Sequence, residues 1–270
     1  SGQGHETMFA DIVSAVLGMP EDRIAVRPSD PRGPALMGGG TVGSRSMMSH
    51  GGALHATALD VVKKGLDFAS RELEAAAQDI EFSEGRYRIK GTDRSIGFTE
   101  IAKRYGAALD TQGGIPTPVA YPGGAHVCEV EIDPDTGIVE IASYVAVDDC
   151  GRVLNHTLVE GQFHGGIVQG IGQVLAEHCV YDRSGQLLTG TFMDYSMPRS
   201  EMLKDVKLYD HPVLSPTNPL GAKGAGEAGT TGAIPALANA VIDALRPLGI
   251  HHLDFPYSPA RIWSAIHGRR

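Results

Sequence analysis

An α+β fold, with hairpins and helices intermixed, is predicted by three features of the sequence. Two stretches alternate apolar and polar residues around a tight turn, the signature of hairpins. Several others space their apolar residues at helical intervals. The order of these elements shows no regular strand–helix–strand alternation, which disfavours a doubly wound parallel sheet. With 270 residues, 42% hydrophobic and 20% charged, the chain can bury the core of one large domain or two smaller ones.

Residues 6–17, ETMFADIVSAVL, place Phe9, Ile12, Val13, Val16 and Leu17 on one helical face, with Gly18 as the stop. RIAVR, 23–27, reads as a short strand. A long loop follows, PSDPRGPALMGGGTVGSRS, whose length marks it as functional or unstructured. From Met47 to Gln78 the pattern is helical, with a break expected near Gly65. DIEFSEGRYRIKG, 79–91, is a hairpin about Glu84-Gly85, and Thr99 caps a short helix to Tyr105. Residues 125–149 form the clearest hairpin, with PDTG as its turn. A helix over 157–175 carries Gly161, Gly165, Gly166, Gly170 and Gly172, too many for intrinsic propensity, so close packing on a backbone or a ligand is expected. A strand near 177–181, an irregular region to Pro219, a helix from about Ile234 to Leu245 and a last helix begun by Ser258-Pro259 complete the chain.

The totals exclude several functions. A net charge of −9 argues against a general nucleic-acid binder, which neutralises phosphates with clustered cations. No apolar run approaches the ~18 residues of a membrane span, and no secretory signal is visible. Three cysteines, far apart and odd in number, suit free thiols in a reducing cytoplasm better than a disulfide framework. Glycine is 35 of 270 residues, nearly twice the usual share of about 7%. The chain opens on SGQGHET without an initiator methionine, which reads as a processed piece, a deliberately trimmed chain or a separate subunit of something larger.

Glycine-rich phrases carry the chemistry. GAGEAG, 224–229, and GGGTVG, 38–43, both fit the spacing of a dinucleotide fingerprint, but neither follows a strand-like run. Asp243, at the right distance from the first, falls inside a predicted helix. Neither phrase is a phosphate-binding lysine loop. A glycine-rich loop ahead of a helix still offers backbone N–H groups to an anion, and GGGTVGSRS adds Thr41, Ser44, Ser46 and Arg45 as partners for a pyrophosphate. The alternative is a solvated surface loop. Gln3 can both donate and accept toward a heterocycle edge, while His5 could equally cap a turn. Glu227 is a lone carboxylate among glycines just ahead of a helix; desolvated there, it would serve as a base near neutral pH.

Taken together, GQGHET at 2–7, GGTVGSRS at 39–46, VDDCGRVLN at 147–155, EGQFHGGIVQGIG at 160–172 and PTNPLGAKGAGEAGTTGA at 216–233 resemble the xanthine dehydrogenase and aldehyde oxidase family of molybdenum hydroxylases. The resemblance is to the C-terminal molybdopterin-binding part of the large catalytic subunit, in the bacterial branch that includes aerobic carbon-monoxide-dehydrogenase-like members. It implies that residues 1–270 form the second molybdopterin-binding domain, as two intertwined subdomains split near 110–125. The family's catalytic glutamate matches Glu227 in Gly224-Ala225-Gly226-Glu227. Its implied role is to deprotonate a hydroxide on molybdenum that attacks an electrophilic carbon, with hydride passing to a sulfido ligand. Gly2, Gln3 and Gly4, with His5 and Thr7 of the same phrase, would lie against the pyranopterin. Thr41, Gly43, Ser44, Arg45 and Ser46 would hold the dinucleotide phosphates, and Gln162 would face the cofactor near the metal. Gly224 and Gly226 would border the pterin, and Lys223 and Asp149 are further candidates for pterin or nucleotide contacts.

The implied cofactor is a molybdenum–pyranopterin dinucleotide of the cytosine type, with no metal ligand from this chain. The implied partners are an upstream molybdenum-binding chain, an FAD subunit and a [2Fe–2S] subunit. The implied reaction is hydroxylation of an N-heterocycle or aldehyde, a small-molecule substrate, with water-derived oxygen. Oxidation of carbon monoxide, or non-catalytic binding and assembly, are the alternatives within the resemblance; a nicotinamide-dependent dehydrogenase lies outside it. Ala228-Gly229 follow the glutamate, as in the bacterial branch, where eukaryotic xanthine-oxidising members have two prolines. On its own such a chain is expected to be inactive and to expose a large apolar face.

Overall fold

The computed structural model describes residues 2–27, 30, 32–33, 40–116 and 119–268. Most of the proline-rich loop before Gly40, including Gly38 and Gly39 of the predicted phosphate phrase, lies outside the described residues. The chain divides into two compact units, the first of residues 1–120 with 215–222 and the second of 121–214 with 223–270.

Among its described residues the first unit packs three α-helices with a small antiparallel sheet. Helix α1, His5–Leu17, stops at Gly18, whose left-handed φ of 60° ends the helix while its N–H returns to the Ser14 carbonyl. A π-turn, Met47–Gly51, leads into α2, Gly52–Leu73. The break expected near Gly65 does not occur. Gly65 instead leaves room for Tyr87, since a Cβ there would meet the Tyr87 hydroxyl, which donates to the Val62 carbonyl at 2.9 Å. The helix closes at Leu73, short of Gln78, because Glu74 takes a left-handed φ of 49°.

The hairpin forms as β1, Ile80–Ser83, and β2, Arg86–Ile89, about a turn with Glu84 at φ 49° and Gly85 at φ 71°. Positive φ at both central residues is what a two-residue hairpin turn demands. Strand β3, Ser95–Gly97, joins as a third strand, order β1-β2-β3, and helix α3, Phe98–Tyr105, begins at Gly97 rather than at Thr99. Residues 24–27 are not a strand: Ile24 is extended, but nothing pairs with it among the described residues. Tyr87, Ile101 and Ala69 are the fully buried centre of this unit.

The second unit is a three-stranded sheet with helices against it. Strand β4, Gly123–Ile132, pairs antiparallel with β5, Val139–Asp149, across the predicted turn, where Gly137 takes φ 73°. Helix α4, His156–Leu175, then crosses over to β6, Val206–Asp210, which lies parallel to β5. The irregular region therefore contains a strand, and the strand expected at 177–181 reduces to one bridge, Tyr181 with Leu187. Helix α5, Ala228–Leu245, begins six residues earlier than its apolar pattern indicates, and α6, Pro259–Ile266, closes the chain. Tyr144, Ile167, Ile171, Leu237, Val241 and Ile262 are the buried heart of this unit. Outside it Tyr121, Phe192 and Met193 are 81%, 83% and 93% exposed. The three cysteines are free, and no described helix is long and apolar enough to cross a membrane.

Replacing Gly65 with Ala drives a methyl into the Tyr87 hydroxyl. The expected cost is about 1–3 kcal/mol, as for overpacking elsewhere. A lowered denaturant midpoint would register it, and Gly65→Ala combined with Tyr87→Phe should recover part of the loss.

Candidate functional site

Helices α4 and α5 meet backbone to backbone. A Cβ on Gly166 would lie 3.0 Å from the Thr230 nitrogen, and one on Gly229 would lie 2.6 Å from the Phe163 carbonyl oxygen. The Thr230 hydroxyl donates to the Gly166 carbonyl at 2.9 Å and stitches the crossing. Gly166 and Gly170 of the glycine-rich helix are thus packing residues, Gly170 making space for Ala233, whereas Gly161 and Gly165 face open space. The GEAG phrase runs straight into a helix, with Glu227 at the N-cap and Ala228-Gly229 as its first helical residues, because this contact compensates for poor helical propensity.

Glu227 is the N-cap position of α5, and its carbonyl accepts from Thr231 N–H at 2.9 Å. Its side chain does not cap the helix. The expected desolvation is absent from this chain: Glu227 is exposed. Two residues on, Gly229 touches the carbonyl of Phe163, the neighbour of half-buried Gln162, so Glu227 and Gln162 fall in one region of the unit. Of the motif's glycines only Gly221 is left-handed, at φ 66°; Gly224 is buried and Gly226 exposed.

Asp149 and Lys223 engage each other at 2.5 Å at the end of β5. Asp149 also accepts from Gly151 N–H at 2.8 Å and Val213 N–H at 2.9 Å, and Lys223 N–H donates to the Cys150 carbonyl at 2.7 Å. Burial pushes the Asp149 carboxyl up, but the Lys223 ammonium and the two N–H donors outweigh it and hold the group below its usual range. The pair fastens the segment ahead of Glu227 to the sheet. Beneath the same helix, His126 bonds through Nδ1 to the Tyr144 hydroxyl at 2.7 Å and through Nε2 to Asp148 at 3.0 Å. These three escaped the sequence reading, although hairpin register puts residues 126, 144 and 148 on one face.

In the first unit, the two phrases assigned to the cofactor touch. Gln3 Nε2 lies 3.5 Å from Thr41 Oγ1, and Ser46 Oγ lies 3.4 Å from the same oxygen. Gly4, at φ 75°, precedes α1 without any side-chain cap, and no side chain caps the π-turn. By contrast the Asn155 side chain caps α4. Half-buried Arg45 makes no ion pair among the described residues, and Gly43 and Ser44 take φ of 58° and 55°. Ser49 Oγ is buried with no hydrogen-bond partner among the described residues. His5 stacks on Phe9 with ring centroids 4.8 Å apart; burial, then His50, then the N-terminal charge hold it below the usual histidine range, and Thr7 is exposed. Helix starts with no side-chain cap, together with a cation lacking an ion pair and a buried hydroxyl lacking a partner among the described residues, fit a polar, anionic cofactor. Among the described residues no cluster of His, Cys, Asp or Glu could hold a metal ion.

Asp149→Asn should loosen the Glu227 segment and cost about 1.5–3 kcal/mol, typical of a hydrogen-bonded charge. Because the folded pKa is depressed, this stability is present above the unfolded value near ~3.9 and is lost as pH falls through the folded one. Acid unfolding of wild type against the variant, whose curves should converge at low pH, measures it.

Residues 1–204 match the family model described as a molybdopterin cofactor-binding domain. The carbon monoxide dehydrogenase large chain of Hydrogenophaga pseudoflava is 34% identical, over 98% of this chain and 34% of that protein. The 6-hydroxypseudooxynicotine dehydrogenase complex subunit gamma of Paenarthrobacter nicotinovorans is 37% identical, over 99% of this chain and 35% of that one. The crystal structure of quinoline 2-oxidoreductase from Pseudomonas putida 86 superposes with a TM-score of 0.86 at 33% identity, covering 100% of this chain and 36% of that one. The chain spans about a third of the length of these relatives. With this match over most of its residues, the chain belongs to the molybdopterin cofactor-binding domain family.

Proposed function

We propose that this chain is part of a molybdenum hydroxylase that oxidises an electrophilic carbon of an N-heterocycle or aldehyde, with Glu227 as the catalytic base. The observation that carries the reading is the place of Glu227: a carboxylate at the uncapped start of α5, held by a helix crossing next to Gln162. A molybdenum pterin, when bound, supplies the two-electron oxidation, and the protein supplies position and proton handling.

Glu227 accepts the proton of the water-derived oxygen as that oxygen attacks the substrate carbon. The Glu227 carboxylate is exposed in this chain, so the desolvation that would make it a stronger base comes with cofactor, substrate and partner polypeptide. Gln162 contributes an amide that can donate to or accept from the cofactor. Arg45, with Thr41, Ser44 and Ser46, holds the phosphates of a cytosine-type dinucleotide, and Gly2, Gln3, Gly4, His5 and Thr7 line the pterin. Asp149 and Lys223 act as loop anchors, since each already has its charge partner. An upstream molybdenum-binding polypeptide, covering Phe192 and Met193, and FAD and [2Fe–2S] subunits complete a cytoplasmic assembly. Residues 1–270 make up its second molybdopterin-binding domain.

The N-heterocycle reading is favoured by likeness to the P. nicotinovorans and P. putida proteins, whose names carry such substrates. Likeness to the H. pseudoflava protein supports carbon monoxide as the second reading. Turnover of a panel of N-heterocycles and aldehydes, against carbon monoxide, with an artificial electron acceptor separates the two.

In the natively purified assembly, Glu227→Gln should lower turnover by roughly 10²–10⁴-fold, the usual worth of a general base, while molybdenum per copy stays unchanged. Unchanged turnover would leave this chain as a non-catalytic holder of the cofactor. Arg45→Ala should weaken retention of the pterin nucleotide by roughly 10–100-fold, the equivalent of one charge-assisted hydrogen bond. Nucleotide released on acid treatment of the purified assembly measures that loss.

A further inference from the structure

The Tyr144–His126–Asp148 chain is not needed to hold the two strands together. β4 and β5 already pair along their length, and buried polar groups carry a desolvation cost that apolar residues would avoid. The His126 and Asp148 side chains are 3% and 9% exposed, and Tyr144 is fully buried. Room is left for them from two sides. A Cβ on Gly124 would overlap the Asp148 carboxylate, and one on Gly232 would fall inside the His126 imidazole. Gly232 directly follows Thr231, whose N–H closes the first turn of α5 on the Glu227 carbonyl. The turn that carries Glu227 is thus held between two contacts: Gly229 on the Phe163 carbonyl of α4, and Gly232 on the face of His126.

We infer that His126 is a positioning residue, which, locked by Tyr144 and Asp148, sets the first turn of α5 and so the place of Glu227. The inference rests on the reading of Glu227 as the base. The hydrogen-bond inventory fixes the ring from both ends. A carboxylate can only accept, which assigns a hydrogen to Nε2 toward Asp148; the neutral tautomer then accepts from the Tyr144 hydroxyl at Nδ1, and both ring nitrogens are satisfied. Burial, reinforced by Cys128 and Asp148, pushes the Tyr144 phenol well above its usual range, so the hydroxyl keeps its hydrogen to donate. With both nitrogens engaged the imidazole cannot rotate, and Gly232 rests against a rigid plane. Losing either partner frees the ring, and small misplacements of a catalytic group are costly.

The test uses Tyr144→Phe and Asp148→Asn in the natively assembled enzyme, with amide hydrogen exchange, kcat, KM and molybdenum per copy as readouts. Exchange at residues 228–232 should quicken by about tenfold or more, while the Asn155-capped start of α4 is unchanged. Turnover should fall about 10–100-fold with KM and molybdenum little altered, and neither variant should add much to the loss caused by Glu227→Gln. Unchanged exchange in both variants overturns the positioning role, whatever turnover does. Faster exchange with unchanged kcat overturns the inferred link from the network to the place of Glu227, and only if Glu227→Gln also leaves turnover unchanged has the reading of Glu227 as base failed. Tyr144→Phe keeps the ring volume and carries the test should Asp148→Asn not assemble. Failure of both to assemble overturns the proposal in favour of a purely structural role.

Discussion

The close approach of α4 and α5 is the constraint on which the second unit's candidate site depends. Two helices normally keep axes 8–10 Å apart because side chains stand between them. Where Gly166 faces Gly229 nothing stands between, and the Phe163 carbonyl would collide with any larger residue at 229. That contact draws the start of α5 onto the middle of α4. It also turns a phrase with weak helical propensity into the first turn of a helix, and puts Glu227 at its N-cap.

Charge completes what the glycines begin. The Asp149–Lys223 pair fastens the backbone just ahead of the turn to the end of β5, and Asp149 accepts two backbone N–H groups besides. A segment held at both ends, by an ion pair before Glu227 and by a helix crossing after it, leaves the backbone at Glu227 little conformational freedom to lose. Exposure of Glu227 is compatible with that arrangement: preorganisation comes from the chain, and exclusion of water from whatever binds against it.

Local signals made the local structure legible. Helix α1 was readable from its apolar face and from Gly18, and both hairpins from Glu84-Gly85 and PDTG, since periodicity and turn chemistry are written in neighbouring residues. What escaped depended on distant partners. Strand β6 is short and owes its existence to a parallel pairing with β5 across a helix. RIAVR has strand composition but finds no ladder among the described residues. The start of α5 was hidden because propensity argues against it and only the contact with α4 decides. At the site, residue type alone suggests Glu227, a lone acid among glycines, as a base, Gln3 for a heterocycle edge and Arg45 for a pyrophosphate, while the molybdenum pterin as their common target and the role of Gln162 rest on motif resemblance. Asp149 and Lys223 lie 74 residues apart, and their pairing could not be read from either phrase. The Tyr144–His126–Asp148 chain was recoverable in principle, because alternation along a hairpin of known register aligns those positions.

The molybdenum content of the natively purified assembly containing this chain, measured by inductively coupled plasma mass spectrometry, tests the account most directly. One molybdenum per copy of the chain is the predicted result. A fully assembled complex without molybdenum would contradict it, and would leave Glu227 as a structural residue in a fold that keeps only the ancestry of its family.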